Sequence, residues 1–464
     1  MPPRKRNLQG SNVRPRVDVL ISVLLLLAGI SGCSIQPASR PSVILITVDT
    51  LRADHLGCYG YPRDTSPTID GLARESVLFE RVATSMSTTL PAHTSLFTSS
   101  YPARNGVLAN YNVWKQPAPT DHEDLRSVSQ LFKAEGYQTA AFVSVHHLGR
   151  GSGVDAGFDS FDGVTANIST TKSNPRSERS ADVTTDRAMN WLEHSSKEPF
   201  FMWIHYFDPH FPYSPPKDYR DLFHTDSEVD RLLDERKVLP KLRESAARYY
   251  NLYDGEIRFV DDQIKRVFDK LRELGLYDDS LIVFTADHGE GLQQHKKLGH
   301  GVIYNEQLLI PWVMKLPGGE RGGSRVSGLA SVIDIFPTVI AVADLPITSR
   351  GFDGIDVLTQ EREYALAERE HTKERFGSEL NYALIGKRFK YFYYTESDDE
   401  LFDLENDSAE TVNLIESNGD VAESMRNELL KLVHENQQRG SGLDVQAEVP
   451  PAMLDALSEL GYVQ

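Results

Sequence analysis

Several stretches of this 464-residue chain run from apolar residues straight into groups that could do chemistry. Val43-Ile44-Leu45-Ile46-Thr47-Val48 ends at Asp49, and Leu281-Ile282-Val283-Phe284-Thr285 leads to Asp287 and His288. Phe200-Phe201-Met202-Trp203-Ile204 runs into His205, Asp208 and His210, and Ala140-Ala141-Phe142-Val143 leads to His146 and His147. Continuous apolar runs of this length predict strands buried on both faces. Carboxylates and imidazoles at their C-terminal ends stand where open α/β sheets bind ligands. Buried charge at such an edge needs a partner. A hydroxyl is also placed for use: Thr88-Thr89-Leu90-Pro91-Ala92-His93 opens a predicted helix. The positive potential of a helix N-terminus favours an alkoxide there and any anion bound beside it. Leu298-Gly299-His300-Gly301 adds another imidazole on a glycine-flanked turn.

The elements that must position these groups follow from the pattern between them. Helical periodicity, clearest over 258–274, separates the buried runs and predicts an α/β layered domain with one shared site. Beyond residue 350 the character changes. Tyr382 to Lys387 and Phe389 to Tyr394 read as a hairpin turning at 386–388, followed by a strand over 400–404 and an amphipathic helix over 421–436. This predicts a smaller C-terminal α+β lobe with an antiparallel sheet, and 437–450 reads as a mobile tail. The expected organisation is a leader over 1–32, a linker over 33–40, a catalytic domain over 41–348 and a C-terminal subdomain with tail over 349–464. The stretches 105–125, 163–185 and 212–245 are expected to line the pocket and bear no substrate signature.

Hydrophobic content of 40% and charged content of 25% are those of a globular protein. A net charge of −18 argues against nucleic acid as a partner but not against anionic substrates, because a bound metal reverses the local field. The N-terminus reads as an export signal: Arg4, Lys5, Arg6, Arg14 and Arg16 precede an apolar run, 19–30, too short to span a bilayer. Ile30-Ser31-Gly32-Cys33 resembles the lipobox of bacterial lipoproteins. That resemblance implies a lipidated Cys33 and a membrane anchor, and Ser34 favours the periplasmic face of the outer membrane. Cys58 then stands alone, so no internal disulfide is expected, and it reads as a packing residue.

Taken in order, the blocks Val48–Tyr61, Thr88–Ser99, Phe284–Glu290 and Leu298–Glu306 resemble the sulfatase family of the alkaline phosphatase superfamily. Tyr253-Asp254-Gly255-Glu256-Ile257, Asp334-Ile335-Phe336-Pro337-Thr338 and Glu400-Leu401-Phe402-Asp403-Leu404 match it too. The resemblance covers residues 41 to 435. It implies an alkaline phosphatase-like fold, a large mixed sheet flanked by helices. It also implies Asp49, Asp287 and His288 as metal ligands, with Thr89 as a further ligand and nucleophile. Two carboxylates, an imidazole and a hydroxyl suit one divalent cation such as Zn²⁺ or Mn²⁺, and Ca²⁺ is used in the family. His210 matches a substrate-contacting or general-acid histidine, and His300 falls where many sulfatases have an oxyanion-binding lysine. His93, His147, His205 and Asp208 are weaker candidates for substrate contact.

The chain departs from the sulfatase pattern in one direction. Sulfatases oxidise a Cys or Ser to formylglycine, but Thr89 cannot form that aldehyde, and His93 replaces the motif's arginine. Thr50 replaces the second aspartate of the usual pair, Asp287-His288 the usual Asp-Asn pair, and Ser144-Val145-His146-His147 the Gly-Lys-x-His stretch. A formylglycine hydrate expels sulfate by collapsing to the aldehyde. A threonyl ester lacks that exit, so water must attack the bound group directly, a displacement suited to phosphorus beside a metal. The expected function is metal-dependent hydrolysis of an anionic ester, with phosphate and phosphonate favoured over sulfate. Formylglycine-independent sulfate hydrolysis, phosphoryl transfer and an inactive metal-binding homologue are the other readings. The oligomeric state is not legible.

Overall fold

The computed structural model describes residues 40–110, 125–164, 178–347, 351–369, 381–395 and 397–440. The chain divides at Arg40–Pro41, and every described element belongs to Pro41–Gln464. Cys33 lies outside the described residues, as does the tail beyond residue 440.

Along the main sheet the chain forms β1 (Val43–Val48), β2 (Val77–Ala83), β3 (Gln138–Val143), β4 (Ser160–Asp162), β5 (Phe200–Tyr206) and β6 (Leu281–Ala286). A short ribbon of β7 (Gly291–Leu292) and β8 (Leu298–Gly299) follows, and the chain returns to the main sheet with β9 (Leu309–Lys315) and β10 (Arg325–Ser331). The spatial order is β10-β2-β9-β6-β1-β5-β3-β4. β9 runs antiparallel to both of its neighbours, and every other pairing is parallel, which makes the sheet mixed. The four runs expected as buried strands are four consecutive neighbours, β6-β1-β5-β3. Every residue of β1, β5 and β6 is buried, consistent with helices covering both faces. Their parallel register sets Thr47 opposite both His205 and Thr285. Asp49 and Asp287, each just past its strand, therefore emerge side by side.

The helix expected over 258–274 extends over Arg243–Glu273 and buries a stripe that includes Tyr250, Tyr253, Ile257, Val260, Ile264, Val267 and Leu271. Spacings of three and four put these on one face. Part of 212–245 is helical as well, over Ser227–Glu235, where the Asp226 side chain caps the N-terminus by accepting from the Val229 N–H.

The C-terminal sheet is antiparallel and runs in sequence order: β11 (Ala365–Glu368), β12 (Asn381–Ile385), β13 (Phe389–Tyr394) and β14 (Glu400–Asp403). Ile385 pairs with Lys390 across the expected turn. Its inner face shares a core with the main domain, where Ala365, Ala383, Phe392 and Phe402 meet Ala83, Ile303, Leu308 and Leu329. The last helix, Gly419–Gly440, is longer than expected. Residues 437–440 continue it instead of starting a tail, because Asn436 and Gly440 remain buried against the body.

Candidate active site

The C-terminal ends of β1 and β6 bring Asp49, Asp287 and His288 together, each offering one donor atom within 4.8 Å of the others. All three are buried. Asp287 Oδ1 accepts the N–H of Thr50 at 3.1 Å and that of His288 at 2.8 Å, so its other oxygen faces the cluster. His288 donates Nδ1–H to the Gly289 carbonyl at 2.9 Å, which leaves the Nε2 lone pair pointing inward. That lone pair lies 3.5 Å from Asp287 Oδ2 and 3.9 Å from Asp49 Oδ1. Among the described residues, both Asp49 oxygens, Asp287 Oδ2 and His288 Nε2 lack a hydrogen-bond partner. Buried acceptors facing one another repel, and a cation among them removes the conflict. The donor set thus fits a divalent metal that accepts oxygen and imidazole ligands.

The electrostatics agree. Burial, then the charges of Asp287 and Glu290, hold the Asp49 carboxyl well above its ordinary pKa, while the nearby Thr89 hydroxyl pulls the other way. Burial raises Asp287 to about 6 and lowers His288 to about 3. Two carboxylates resisting ionisation beside a neutral imidazole describe a site short of positive charge.

Local backbone requirements hold the cluster in place. Thr50 has φ of 54°, unusual for a β-branched residue, and the turn is tied to the long helix by Tyr253 Oη, which donates to the Thr50 carbonyl at 2.7 Å and accepts the Arg52 N–H at 3.0 Å. Position 289 must be glycine because a Cβ there would stand 2.2 Å from the Glu306 carbonyl oxygen.

Thr89 begins the Thr89–Thr98 helix and is buried. One turn on, His93 donates Nδ1–H to the Thr89 carbonyl at 2.8 Å and lies 3.6 Å from Asp287 Oδ2. Its Nε2 is 3.3 Å from the Thr47 hydroxyl, which also accepts Trp203 Nε1–H at 2.9 Å. With that hydroxyl proton given to His93, His205 must donate its Nδ1–H to Thr47 Oγ1 at 3.2 Å. The His205 Nε2 lone pair then faces Asp49 Oδ2 at 3.8 Å. His93 and His205 therefore belong to this cluster.

His210 and His300 meet beside it, Nε2 to Nε2 at 3.1 Å, and the His300 ring centroid is 4.4 Å from that of His288. His300 also donates Nδ1–H to the Ser87 carbonyl at 3.0 Å, two residues before Thr89. Asp208 is turned elsewhere: its Oδ2 accepts the Ala181 N–H at 2.9 Å at the start of the Ala181–His194 helix. The His147 ring centroid lies 3.8 Å from that of His146, tilted by 42°, in the turn after β3, two strands from Asp49, and burial lowers the His147 pKa to about 4.

Two participants were missed in the sequence. Glu290 is fully buried, raised to about 8 mainly by burial, and close enough to perturb Asp49. Its position two residues past His288 was the available signal. Thr47, the hydroxyl shared by two histidines, reads as an ordinary strand residue. A cavity of about 580 Å³ lies to one side, with walls that include Arg52, Asp54, Arg236, Glu306 and Lys387; Asp49, Thr89 and Asp287 are not among its lining residues.

Comparison with known proteins gives the family and the fold. The sulfatase family model matches residues 41–345, and the chain belongs to the sulfatase family. An ulvan-active sulfatase of Formosa agariphila is 26% identical over 341 residues, which are 69% of this chain and 64% of that protein. The chain thus spans just under two thirds of that relative. The multifunctional alkaline phosphatase superfamily protein PehA of Trinickia caryophylli is 26% identical over 385 residues, 65% of this chain and 73% of that protein. The phosphonate monoester hydrolase of Agrobacterium radiobacter shares the fold, with a TM-score of 0.69 at 22% identity over 86% of this chain and 96% of that one.

Proposed function

We propose that this protein hydrolyses anionic esters, phosphate or phosphonate in preference to sulfate, with Thr89 as nucleophile and a divalent metal held by Asp49, Asp287, His288 and the Thr89 oxygen. The observation that carries the reading is the set of buried, mutually repelling donor atoms beside a helix-opening threonine. A metal bound there supplies Lewis acidity, lowering the hydroxyl pKa and polarising the ester.

The chain's own groups do the remaining work. The N-terminus of the Thr89–Thr98 helix adds positive potential at the attacking oxygen. Thr89 Oγ1 attacks the phosphorus, the ester oxygen leaves, and water then displaces the threonyl oxygen to release the product. His210 and His300, beside the cluster, stabilise charge on the transferred group or protonate the leaving oxygen. Names among the similar proteins cover both ester classes: one is an ulvan-active sulfatase and another a phosphonate monoester hydrolase. Threonine in place of a formylglycine precursor tips the balance toward phosphorus. Export and lipid anchoring through Cys33 complete the proposal, placing the enzyme at a membrane surface.

An activity panel of aryl sulfate, phosphate monoester, phosphate diester and phosphonate ester with Zn²⁺, Mn²⁺ or Ca²⁺ tests the reading. Turnover of a phosphorus ester, abolished in Thr89→Ala, is expected. Turnover of sulfate alone would sink the phosphoryl preference.

A further inference from the structure

His300 stands between two glycines, Gly299 and Gly301, whose φ angles are 86° and 109°. Glycine enters positive φ about as readily as negative, so such a pair gives the turn its shape without giving it rigidity. The ribbon that leads into it is short, pairing Gly291 with Gly299 and Leu292 with Leu298. The bond from His300 Nδ1–H to the Ser87 carbonyl sets the rotation of the ring but not the path of the backbone that carries it. Another contact must fix that path.

The side chain of Gln307 makes it. This residue lies on the short Asn305–Leu308 helix and is fully buried. Its Nε2 donates to the Gly299 carbonyl at 3.1 Å, and its Oε1 accepts the Val302 N–H at 2.8 Å. The carbonyl only accepts and the N–H only donates, so the two ends of the carboxamide cannot be exchanged. The bridge closes on both sides of His300 and Gly301. Glutamate here would turn a second acceptor on the Gly299 carbonyl, and asparagine would fall a methylene short. Room for the amide comes from Gly291, where a Cβ would stand 2.8 Å from the Gly299 carbonyl oxygen and 3.1 Å from Gln307 Nε2. The main chain of the same residue serves the metal-type cluster: the Gln307 carbonyl accepts the Gly289 N–H at 2.8 Å, next to His288.

We infer that Gln307 is a positioning residue: its carboxamide fixes the 299–302 turn so that the His300 imidazole stands beside His288, where it meets the anionic group of the ester. Loss of the carboxamide frees that turn, while the main-chain bond to Gly289, and with it the turn after His288, persists. The catalytic consequence rests on the anionic-ester reading of the cleft; the positioning itself does not.

Two variants separate the hydrogen bonds from packing: Gln307→Met keeps the length of the side chain and removes both bonds, and Gln307→Glu keeps the acceptor alone. In ¹⁵N-histidine NMR spectra of the full-length protein, the His300 signal is identified by its absence from His300→Gln. Wild type should show one Nδ1-protonated tautomer there, and Gln307→Met an average of the two tautomers. An unchanged single tautomer in both Gln307 variants overturns the inference, whatever the activity. On the preferred ester each Gln307 variant is expected to lower kcat/KM by about 10- to 100-fold, mainly through kcat. Combining His300→Gln with Gln307→Met should give the kcat/KM of His300→Gln alone, because a residue acting through His300 has nothing left to position. Losses that multiply instead assign Gln307 to general stability and overturn the inference too. If the tautomers average in a protein that hydrolyses none of the esters, the ester reading fails and the positioning stands.

Discussion

The backbone N–H of Thr50 donates to Asp287 Oδ1 at 3.1 Å, joining the turn after β1 to the turn after β6. The bond aims the second Asp287 oxygen at Asp49 and His288. Thr50 reaches it with φ of 54°, a conformation the surrounding structure imposes. The metal-type cluster is therefore held by backbone geometry as well as by the sheet.

Metal-free protein should lose stability as pH rises. The folded-state pKa of Asp287 is raised to about 6 and that of Asp49 is held well above its ordinary value, both mainly by burial. A raised carboxyl pKa contributes stability that is intact below about pH 4 and lost as pH rises through the folded value. Denaturant unfolding from pH 4 to 8 should show the decline, and added Zn²⁺ or Mn²⁺ should reverse it. Asp287→Asn keeps the oxygen that accepts two N–H groups and turns an amide donor toward Asp49. Its metal-free form should be the more stable of the two, with the metal-induced rise in Tm lost.

Thr89→Ala should lower kcat/KM on the preferred ester by on the order of 10³-fold or more, and Thr89→Ser should recover part of the loss. The phosphorylated residue should be trapped at position 89 in acid-quenched wild type and found by mass spectrometry. Undiminished turnover by Thr89→Ala would remove it from the mechanism.

Glu368 provides a pH signal away from the cluster. It is buried at the end of β11, accepts the Ala103 N–H at 2.7 Å, and is raised to about 8 by burial. The folded state holds its proton more tightly than the unfolded chain, so its contribution falls as pH rises from about 4.5 to about 8. Glu368→Gln retains the acceptor without the charge. The variant should match wild type near pH 4.5 and exceed it by about 1–4 kcal/mol near pH 8.5, at roughly 1.4 kcal/mol per pKa unit. Parallel pH–stability curves would contradict the assignment.

Lys390 on β13 is fully buried, with Nζ 2.7 Å from Glu410 Oε1 and 3.0 Å from Asn305 Oδ1. Glu410 in turn accepts the Asn305 N–H at 2.6 Å, tying the C-terminal sheet to the segment that precedes β9. Lys390→Met leaves Glu410 charged and buried, and should cost about 3–5 kcal/mol in urea unfolding. Lys390→Met combined with Glu410→Gln should cost less than Lys390→Met alone, because no uncompensated charge remains. Equal losses would assign the effect to packing.

What could be read before folding depended on how local the physics was. Buried runs ending at Asp49, His205 and Asp287 announce parallel strands and a shared edge, because a strand covered on both faces shows continuous apolar residues and its charged end stands out. The hairpin at 386–388 is equally local. Family resemblance then singled out Thr89, His210 and His300 from their ordered blocks.

Which groups meet was left to the tertiary structure. Asp208 lies two residues from His210, yet it caps the Ala181–His194 helix, because its carboxylate satisfies an otherwise open N–H there. His93 and His205 come together through the Thr47 hydroxyl, a contact between a helix and two strands that no sequence interval encodes. Nor could spacing reveal that His210 and His300, ninety residues apart in the chain, bring their Nε2 atoms to 3.1 Å from one another. By itself the sequence determined the chemistry on offer, the strand ends and the missing formylglycine precursor. Hydrogen-bond direction and the register of β1, β5 and β6 decided which of those groups form one site. Both arise only when distant backbone carbonyls and amides are brought into reach.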